Sequence, residues 1–425
     1  MYRRQFLASS AVALSPKGAN DRINVGVIGT GGRGTHLLTL VLERGKELGD
    51  VQVVAVCDVY QKRLEHAAKL VGGGVRQYTY HQELLDRTDV DAVIIATPDH
   101  WHAPITLAAL DRSLDVYCEK PVTLTAEQSF AVAKKAAQSG RIVQVGVQSM
   151  SWNKWHKAKE AISQGMLGKV VSCHGTYSRN APGGDWNWDI DAAAGPDAKG
   201  EDHVDWKQWL GPAPQRSWDA DRFFRFRKYW DYSGGIATDL HYHTVAPFHL
   251  AVANEYPSRV IGMGGIWVAK DGREVPDTFL NSADYPSEWS VIVQSSQANA
   301  HGPLAMIRGE HATMLMGDDW EGRDSDVLRI VPEKPFAKDW IAQFGKPEIV
   351  IPGAGNEGDR KHVDNFFECV RSHKQPNCDA ETASKVMTHI GLAVQSYREG
   401  KMYHFDPAKR EIRASSETWE TGKRR

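Results

Sequence analysis

Short apolar runs alternate with amphipathic segments through the first third of the chain. The apolar runs are rich in β-branched residues and predict buried strands at 23–28, 51–56, 77–80, 91–96, 114–118 and 142–147. Helical spacing predicts a helix that opens at 36–40 and further helices at 59–71, 82–86, 103–111 and 125–139. This alternation predicts an α/β, doubly wound parallel sheet whose ligands bind at the carboxyl ends of the strands.

The pattern changes after Gln148. A helix is predicted at 152–165, followed by strands at 170–177, 259–268, 290–297, 304–308, 312–316 and 327–331 and by helices at 359–373 and 381–398. These segments indicate an α+β domain built on an open, mainly antiparallel sheet. We therefore predict a first domain at 21–149, a second domain at 150–408 and a charged, frayed tail at 409–425.

The first two predicted strands flank the sequence GTGGRG at 29–34. In a dinucleotide site, Gly29 allows a tight turn, Gly31 lets the backbone approach a pyrophosphate, and Gly34 lets the helix pack closely on the strand. Asp58 lies 24 residues after Gly34, at the end of the second strand, where a carboxylate accepts hydrogen bonds from ribose hydroxyls and repels a 2′-phosphate. The order of these features favours an NAD-binding Rossmann domain. The alternative is a glycine-rich turn that binds nothing.

An irregular segment at 180–230 carries much of the aromatic content. It holds six of the fourteen tryptophans: Trp186, Trp188, Trp206, Trp209, Trp218 and Trp230. Flat aromatic rings can stack on sugar faces while carboxylates bind the hydroxyl groups. We therefore hypothesise that this segment binds carbohydrate. The alternative is that the rings pack this segment onto the core.

The composition of the chain limits the classes of partner that it is expected to bind. The formal charge is −2, which provides no electrostatic argument for nucleic acid, and no apolar run is long enough to span a bilayer. The five cysteines have no metal-ligand spacing and no disulfide pattern.

Arg3 and Arg4 precede a short apolar stretch within residues 1–20, which resembles a twin-arginine signal for periplasmic export of a folded protein. The alternative is a disordered start on a cytoplasmic protein.

Four motifs in order carry a family resemblance. They are the glycine motif, Thr97-Pro98 followed by His102, Glu119-Lys120-Pro121, and a Gly-Gly pair followed by Asp239-x-x-x-His243. Over about residues 23–407 the chain resembles the Gfo/Idh/MocA oxidoreductases, named after glucose–fructose oxidoreductase and inositol dehydrogenase. The resemblance implies that the cofactor is bound by Gly29, Gly31, Gly32, Arg33, Gly34, Asp58, Thr97, Pro98, His102, Glu119, Lys120 and Gln148.

The resemblance also implies catalytic roles. Lys120, preceding a peptide that is often cis in relatives, would bond the reacting hydroxyl, His243 would take its proton, and Asp239 would orient His243. Relatives often have glycine where His241 stands, so either His241 or His243 is left as the base. A metal site of Asp239, His241 and His243 is a further alternative, although these positions converge only on a strand. Predicted substrate contacts are His241, Tyr177, Trp186, Trp188, Arg225 and Trp230, with His100, Trp101 and His156 nearby.

The expected protein is an NAD-dependent oxidoreductase that acts at a secondary hydroxyl of a sugar, sugar derivative or cyclitol. The resemblance implies a homodimer or homotetramer. One rival is a redox-neutral, NAD-dependent glycosidase, and another is a binding protein without turnover. If the protein is exported, a tightly held and internally recycled NAD is a further hypothesis, because no free NAD pool is expected there.

Overall fold

The fold was analysed in a computed structural model that describes residues 22–316, 327–352 and 357–418. The proposed signal at 1–20 lies outside these residues. The first part is a six-stranded parallel sheet with the strand order β3-β2-β1-β4-β5-β6. Its elements are β1 Ile23–Ile28, α1 Gly32–Leu48, β2 Val51–Cys57, α2 Gln61–Val71, β3 Arg76–Tyr78, α3 His81–Leu85, β4 Ala92–Ile95, α4 Asp99–Asp111, β5 Asp115–Glu119, α5 Ala126–Ser139 and β6 Val143–Gly146.

The predicted Rossmann sheet is confirmed, and the burial of its strands explains why the sequence predicts it. Strands β4, β5 and β6 are buried along their whole length, so apolar or small residues dominate each of them, and the exceptions are Asp115 and Glu119 at the ends of β5 and Gln144 in β6. The predicted helix at 103–111 begins earlier, at Asp99, because Pro98 is extended and ends the preceding loop. His102 therefore lies in the first turn of a helix and not in a strand-end loop.

The second part is built on a ten-stranded sheet with the order β14-β13-β12-β11-β7-β10-β9-β8-β15-β16. Every neighbouring pair in it is antiparallel except β7 with β10. The predicted open, mainly antiparallel sheet is therefore confirmed. Its strands are β7 Val170–Thr176, β8 Arg259–Gly265, β9 Thr278–Tyr285, β10 Trp289–Ser296, β11 Met306–Gly309, β12 Ala312–Leu315, β13 Val327–Pro332, β14 Ile349–Pro352, β15 Lys401–Asp406 and β16 Glu411–Thr418.

Two sequence predictions for this sheet need correction. Strand β9 was missed because its inward side carries Phe279, Asn281, Ala283 and Tyr285, so a polar amide and a small residue interrupt the apolar alternation. The predicted frayed tail is wrong for 411–418, where β16 pairs with β15. Residues 419–425 lie outside the described part of the chain. Polar β16 is a strand because its partner supplies the hydrogen bonds.

Seven further α-helices lie in the described ranges: α6 Asn153–Ser163, α7 Trp206–Leu210, α8 Ala220–Phe224, α9 Tyr242–Ala251, α10 Ala337–Phe344, α11 Arg360–Ser372 and α12 Ala380–Glu399. Of these, α6, α9 and α12 contact strands of the large sheet. Helix α12 packs against α5 of the first domain and against β8 of the second. One hydrophobic core therefore includes residues of both domains, such as Val93 of the first domain and Val291 of the second.

Helix α11 belongs to the first domain in space. Val363, Phe366 and Phe367 belong to one buried apolar cluster with Val25 of β1 and Leu37 of α1. Burying each aromatic ring contributes about 2–3 kcal/mol. The predicted boundary at residue 150 therefore does not hold for α11, because an amphipathic pattern shows that a helix is covered but not by which sheet. No helix within the described ranges is long and apolar enough to cross a bilayer.

Candidate active site

The loop between β1 and α1 has the geometry of a phosphate-binding turn. Gly29 has a φ of 84°, and a Cβ there would lie 2.8 Å from the Ala96 backbone. A Cβ on Gly34 would lie 1.8 Å from the Gly29 carbonyl oxygen, so the start of α1 needs glycine to pack on the turn. No side chain caps α1, so its first N–H groups are available to an anion.

Replacing Gly34 by alanine is expected to destabilise the fold by about 3 kcal/mol and to abolish NAD binding, because the methyl group would overlap the Gly29 carbonyl. Gly32→Ala is the matched control, since a Cβ at Gly32 meets no protein atom within 4 Å. Thermal unfolding and NADH fluorescence titration measure both effects. Equal stability of the two variants would contradict the proposed close approach.

A cavity of about 500 Å³ opens in front of this loop. From the predicted cofactor set it is lined by Gly29, Gly31, Gly32, Arg33, Asp58, Thr97, Pro98, His102, Glu119 and Lys120. Gln148 does not line it, although its side-chain oxygen is buried and has no hydrogen-bond partner in the described part of the chain. The buried Thr97 hydroxyl also lacks a partner there. Open space at Gly32, room at Gly31 and the Thr97 hydroxyl on the wall fit a bound dinucleotide.

Asp58 lies at the end of β2, as predicted, but its carboxylate is already engaged. Its Oδ2 accepts a hydrogen bond of 2.7 Å from the Thr30 backbone, and its Oδ1 accepts one of 2.9 Å from the Tyr60 backbone. The side chain therefore also shapes the glycine turn. It still lines the cavity, where its negative charge faces the adenosine end of a dinucleotide site.

His102 is buried below the Lys120–Pro121 peptide, which is cis. Its Nδ1 donates to the Pro121 carbonyl at 2.5 Å and its Nε2 donates to the Thr97 carbonyl at 2.8 Å. Two carbonyl acceptors require both ring nitrogens to carry protons, so the ring is an imidazolium. Burial alone would lower its pKa, but Cys118, Asp99 and the Pro121 carbonyl raise the pKa of His102 to about 9. This cation connects the loop at Thr97 to the peptide that carries Lys120.

The free energy of unfolding is expected to fall as pH rises towards 10, in part because His102 loses its proton. Its folded pKa of about 9 exceeds the ordinary value of 6.5, so its contribution is complete below about 6.5 and is lost as pH rises through about 9. The difference between these two pKa values corresponds to a contribution of about 3 kcal/mol at most to the free energy of unfolding. Denaturant unfolding of wild type and His102→Gln at pH 6 and pH 10 measures the difference. A stability gap between the two proteins that is independent of pH would contradict the imidazolium.

Arg33 and Glu119 pair with each other at the cavity wall. The Arg33 Nε lies 2.7 Å from Glu119 Oε1, and its Nη1 lies 2.5 Å from Asp359 Oδ2. These two ion pairs connect the start of α1 and the end of β5 to Asp359, which precedes α11. A direct contact of either side chain with the cofactor stays a prediction.

Lys120 and Asp239 form an ion pair between the two domains. Lys120 Nζ donates to Asp239 Oδ1 at 2.7 Å and to the Asp239 backbone oxygen at 2.8 Å. Arg227 Nε donates to the same Oδ1 at 2.8 Å, and Trp186 Nε1 donates to Oδ2 at 3.1 Å. Burial would raise the pKa of Asp239, but Arg227 and Lys120 outweigh it and hold the pKa well below its ordinary range. The carboxylate is therefore ionised and fixed by three side chains.

The backbone around Asp239 is a single π-helical turn, Ala237–His241, that continues into α9. On this helix His243 follows Asp239 by one turn and lies on the same side, where its ring is 5.9 Å from that of Tyr177. His241 projects in the opposite direction. It is fully buried, its Nδ1 lies 2.7 Å from Asn281 Nδ2, and burial lowers its pKa to about 3.

His241 is fully buried and is not among the residues that line the cavity, so these observations do not support it as a substrate contact. The alternative metal site of Asp239, His241 and His243 is not supported either, because residues two apart on a helix face different ways. Within the described ranges no group of three His, Cys, Asp or Glu side chains is arranged to hold a metal. Of the two histidines, His243 is the one that follows Asp239 by one helical turn, and its role as the base stays a prediction.

The other predicted substrate residues divide into two groups. Tyr177 lies beside His243, Trp186 is buried and holds Asp239, and Trp188 is 46% exposed on the cavity wall. Arg225 and Trp230 do not line the cavity. Arg225 donates to the Trp188 carbonyl, and Trp230 packs on Tyr397 of α12.

The aromatic segment at 180–232, called the covering segment below, lies across the cavity. It is joined to the first domain just beyond Asp58 by two backbone hydrogen bonds, from Gln61 N to His203 O at 3.0 Å and from Asp205 N to Val59 O at 2.9 Å. At the other side of the cleft, His100 and Trp101 both donate to the Trp209 carbonyl, at 3.0 Å and 2.7 Å. Both residues thus anchor this segment. His156 donates instead to Met150 O at 3.0 Å.

Sequence reasoning missed Arg63, a cation near the phosphate-binding loop. The Arg63 guanidinium lies over Tyr60, Phe223 and Phe224, at 5.1–5.6 Å from the ring centroids. A Cβ on Gly31 would lie 3.5 Å from its Nη1, so Arg63 stands next to the phosphate-binding loop. The alternation of aromatic and basic residues at 222–227 was the available signal. It could not show that the segment folds back over the first domain.

Comparison with known proteins agrees with this geometry. Residues 23–147 match the oxidoreductase family with an NAD-binding Rossmann fold (Gfo/Idh/MocA), and residues 152–261 match its C-terminal alpha/beta domain. Inositol 2-dehydrogenase 4 of Saccharopolyspora erythraea is 33% identical over 164 residues, which are 38% of this chain and 47% of that protein. A glycosyl hydrolase family 109 protein of Stenotrophomonas maltophilia is 31% identical over 230 residues, 49% of this chain and 50% of that protein.

The chain thus spans about half the length of the curated relatives that it matches. The WlbA dehydrogenase from Bordetella pertussis, solved with NADH and UDP-GlcNAcA, has the same fold over 91% of this chain and 99% of its own, with a TM-score of 0.65 and 17% identity. At that identity the likeness shows the fold alone. Together, the two matched domains and the dinucleotide cavity show that this chain belongs to the Gfo/Idh/MocA oxidoreductase family.

Proposed function

We propose that this chain is an NAD-dependent oxidoreductase that transfers a hydride between the nicotinamide and a secondary hydroxyl carbon of a sugar, sugar derivative or cyclitol. The observation that carries the proposal is the position of Lys120. It lines the dinucleotide cavity, and Asp239 takes two of the three donors of its ammonium group. The third donor is left for a substrate oxygen at the interface of the domains.

The roles of the side chains follow from this arrangement. The nicotinamide, when bound, supplies the hydride acceptor. Lys120 holds the reacting hydroxyl, and His243, on the same helix face as Asp239, takes its proton as the hydride leaves the adjacent carbon. Asp239 holds Lys120 in place, and Trp186 fixes Asp239. Holding the C–H bond close to the nicotinamide accounts for much of the remaining rate enhancement.

We propose NAD rather than NADP as the cofactor. Asp58 lines the cavity at the end of β2, where its carboxylate would repel a 2′-phosphate. Nearby Arg63 is the residue that argues for NADP, but its guanidinium is occupied by the three aromatic rings around it. Parallel titrations with NADH and NADPH test this preference, and tighter binding of NADPH would overturn it.

The test of the function is NADH formation when NAD and the protein are mixed with a panel of sugars, glycosides and cyclitols. A sustained rise in absorbance for one class establishes the dehydrogenase. The similarity to a family 109 glycosyl hydrolase favours a second candidate, a redox-neutral glycosidase acting through a transient keto-sugar. That candidate predicts cleavage of a glycoside without net NADH. Binding of NAD and sugar with no turnover of any panel member would support a binding protein.

The covering segment is expected to retain NAD through gel filtration. Release requires the dinucleotide to pass a wall made by Trp209, Phe223 and Phe224, which is hydrogen-bonded at both sides of the cleft. Phe224→Ala opens that wall and removes a ring from Arg63, so it is expected to speed NAD release about tenfold. Trp267→Ala, at a residue 65% exposed in the other domain, is the control. Nucleotide-free wild-type protein that exchanges NAD freely would contradict the retention.

We also propose a homodimer or homotetramer and export by the signal at 1–20. The uncovered side of the large sheet exposes Met263 by 50% and Ile292 by 41%, and a second copy of the same sheet would bury both. Light scattering measures the assembly. Fusion of residues 1–20 to a reporter that folds in the cytoplasm tests the export.

A further inference from the structure

The polar groups around Asp239 carry more positive than negative charge. Lys120 and Arg227 both bond to the Asp239 carboxylate, and Arg179 faces it without a direct ion pair in the described part of the chain. Asp185 is the second carboxylate facing Arg179. Asp99, deeper in the wall, is matched by the His102 imidazolium. Three cations therefore face two carboxylates, which leaves a surplus of one positive charge.

Two other acidic or basic groups do not cancel this surplus. Asp189 lines the rim of the cavity but is exposed, so solvent screens its charge. Arg273 is neutralised by Asp271, at 2.8 Å. Burial raises the pKa of Asp185, so the negative charge at the site is not larger than two carboxylates.

Among the described residues, Arg179 is the cation of this group that has no ion-pair partner within bonding distance. It follows β7, where its backbone N–H donates to Ser296 O at 2.8 Å and fixes its position. Its Nη2 donates to the Tyr177 hydroxyl at 2.9 Å, and its guanidinium lies 4.8 Å from the centroid of the Tyr177 ring. Among the described residues, this hydroxyl is the one hydrogen-bond partner of the five N–H donors on the side chain. The Tyr177 ring also lies 5.9 Å from the ring of His243, so Tyr177 is a common neighbour of Arg179 and the proposed base.

We propose that the substrate is a sugar acid whose carboxylate is bound by Arg179. This rests on the proposed oxidoreductase function and names its substrate class. A guanidinium bonds a planar carboxylate through two parallel N–H donors, and one negative charge balances the surplus of one positive charge. A phosphate, with a charge near two, would exceed that balance.

The test compares each sugar acid with its neutral counterpart in the NADH assay, using D-glucuronate with D-glucose and D-galacturonate with D-galactose. The acid of at least one pair is expected to have a kcat/KM at least tenfold higher. Arg179→Gln is expected to lower kcat/KM for that acid about 100-fold and to bring the acid-to-neutral ratio to one or below. Arg308→Gln, at an exposed arginine of the same domain, is the control and keeps the ratio of the wild type. Arg179→Lys is expected to restore part of it.

The outcomes separate this inference from the proposed function. Turnover of neutral sugars alone, or an unchanged ratio in Arg179→Gln, overturns the sugar-acid inference and leaves the oxidoreductase standing. Calorimetric binding of D-glucuronate or D-galacturonate to NADH-loaded protein, lost in Arg179→Gln, supports the inference even where no turnover follows. Absence of both binding and turnover of these acids overturns it.

Discussion

Replacing Lys120 by methionine is expected to lower kcat about 10³-fold with the substrate that the panel identifies. Methionine keeps the length of the side chain but removes the ammonium that holds the reacting hydroxyl. Asp239 keeps its bonds to Arg227 and Trp186, so the carboxylate is not left unpaired and the fold is preserved. The measurement is the steady-state rate of NADH formation, with NADH affinity and melting temperature determined on the same preparation.

Lys135→Met is the matched control for this substitution. Lys135 lies on α5 and pairs with Asp111 at the surface, so losing its charge leaves kcat unchanged. A Lys120→Met variant that melts like wild type and retains kcat within threefold would remove Lys120 from the chemistry. A fall in NADH affinity without a change in kcat would instead make Lys120 a cofactor-binding residue.

Replacing His243 by alanine is expected to lower kcat roughly 10³-fold, because the variant lacks the imidazole to which we assign the hydroxyl proton. His243 lies on the Asp239 face of α9, next to Tyr177. Added imidazole is expected to restore part of the rate, since a small base can enter the space left by the ring. The measurement is kcat against imidazole concentration, together with the pH dependence of kcat with and without the rescue.

His241→Asn distinguishes the two histidines. Its ring is fully buried and hydrogen-bonded to Asn281, so the substitution is expected to lower the melting temperature while kcat stays within a few-fold of wild type. Loss of kcat in His241→Asn with an active His243→Ala would reverse the assignment. Failure of imidazole to rescue His243→Ala would indicate that the ring positions the substrate and does not transfer the proton.

The parts of this protein that sequence predicts well are those with local causes. The turn at Gly29 requires a positive φ, and the approach of Gly34 to Gly29 spans only five residues, so both requirements appear in the order of the glycines. Buried parallel strands appear as apolar runs because both of their faces are covered. The family motifs add Lys120, Asp239 and His243, and the structure brings Lys120 and Asp239 into contact.

What the sequence by itself determined is therefore the Rossmann domain and the open sheet, whereas the roles that the family motifs imply for Lys120, Asp239 and His243 stay a prediction. Tertiary structure alone decided that His241 faces the core, that α11 packs on the first sheet, and that the covering segment closes the cleft. It also placed Arg63, Arg179 and Arg227 at the site. The physical reason is that helical periodicity and aromatic content show that a side chain is covered, whereas its partner depends on contacts between residues far apart in the chain.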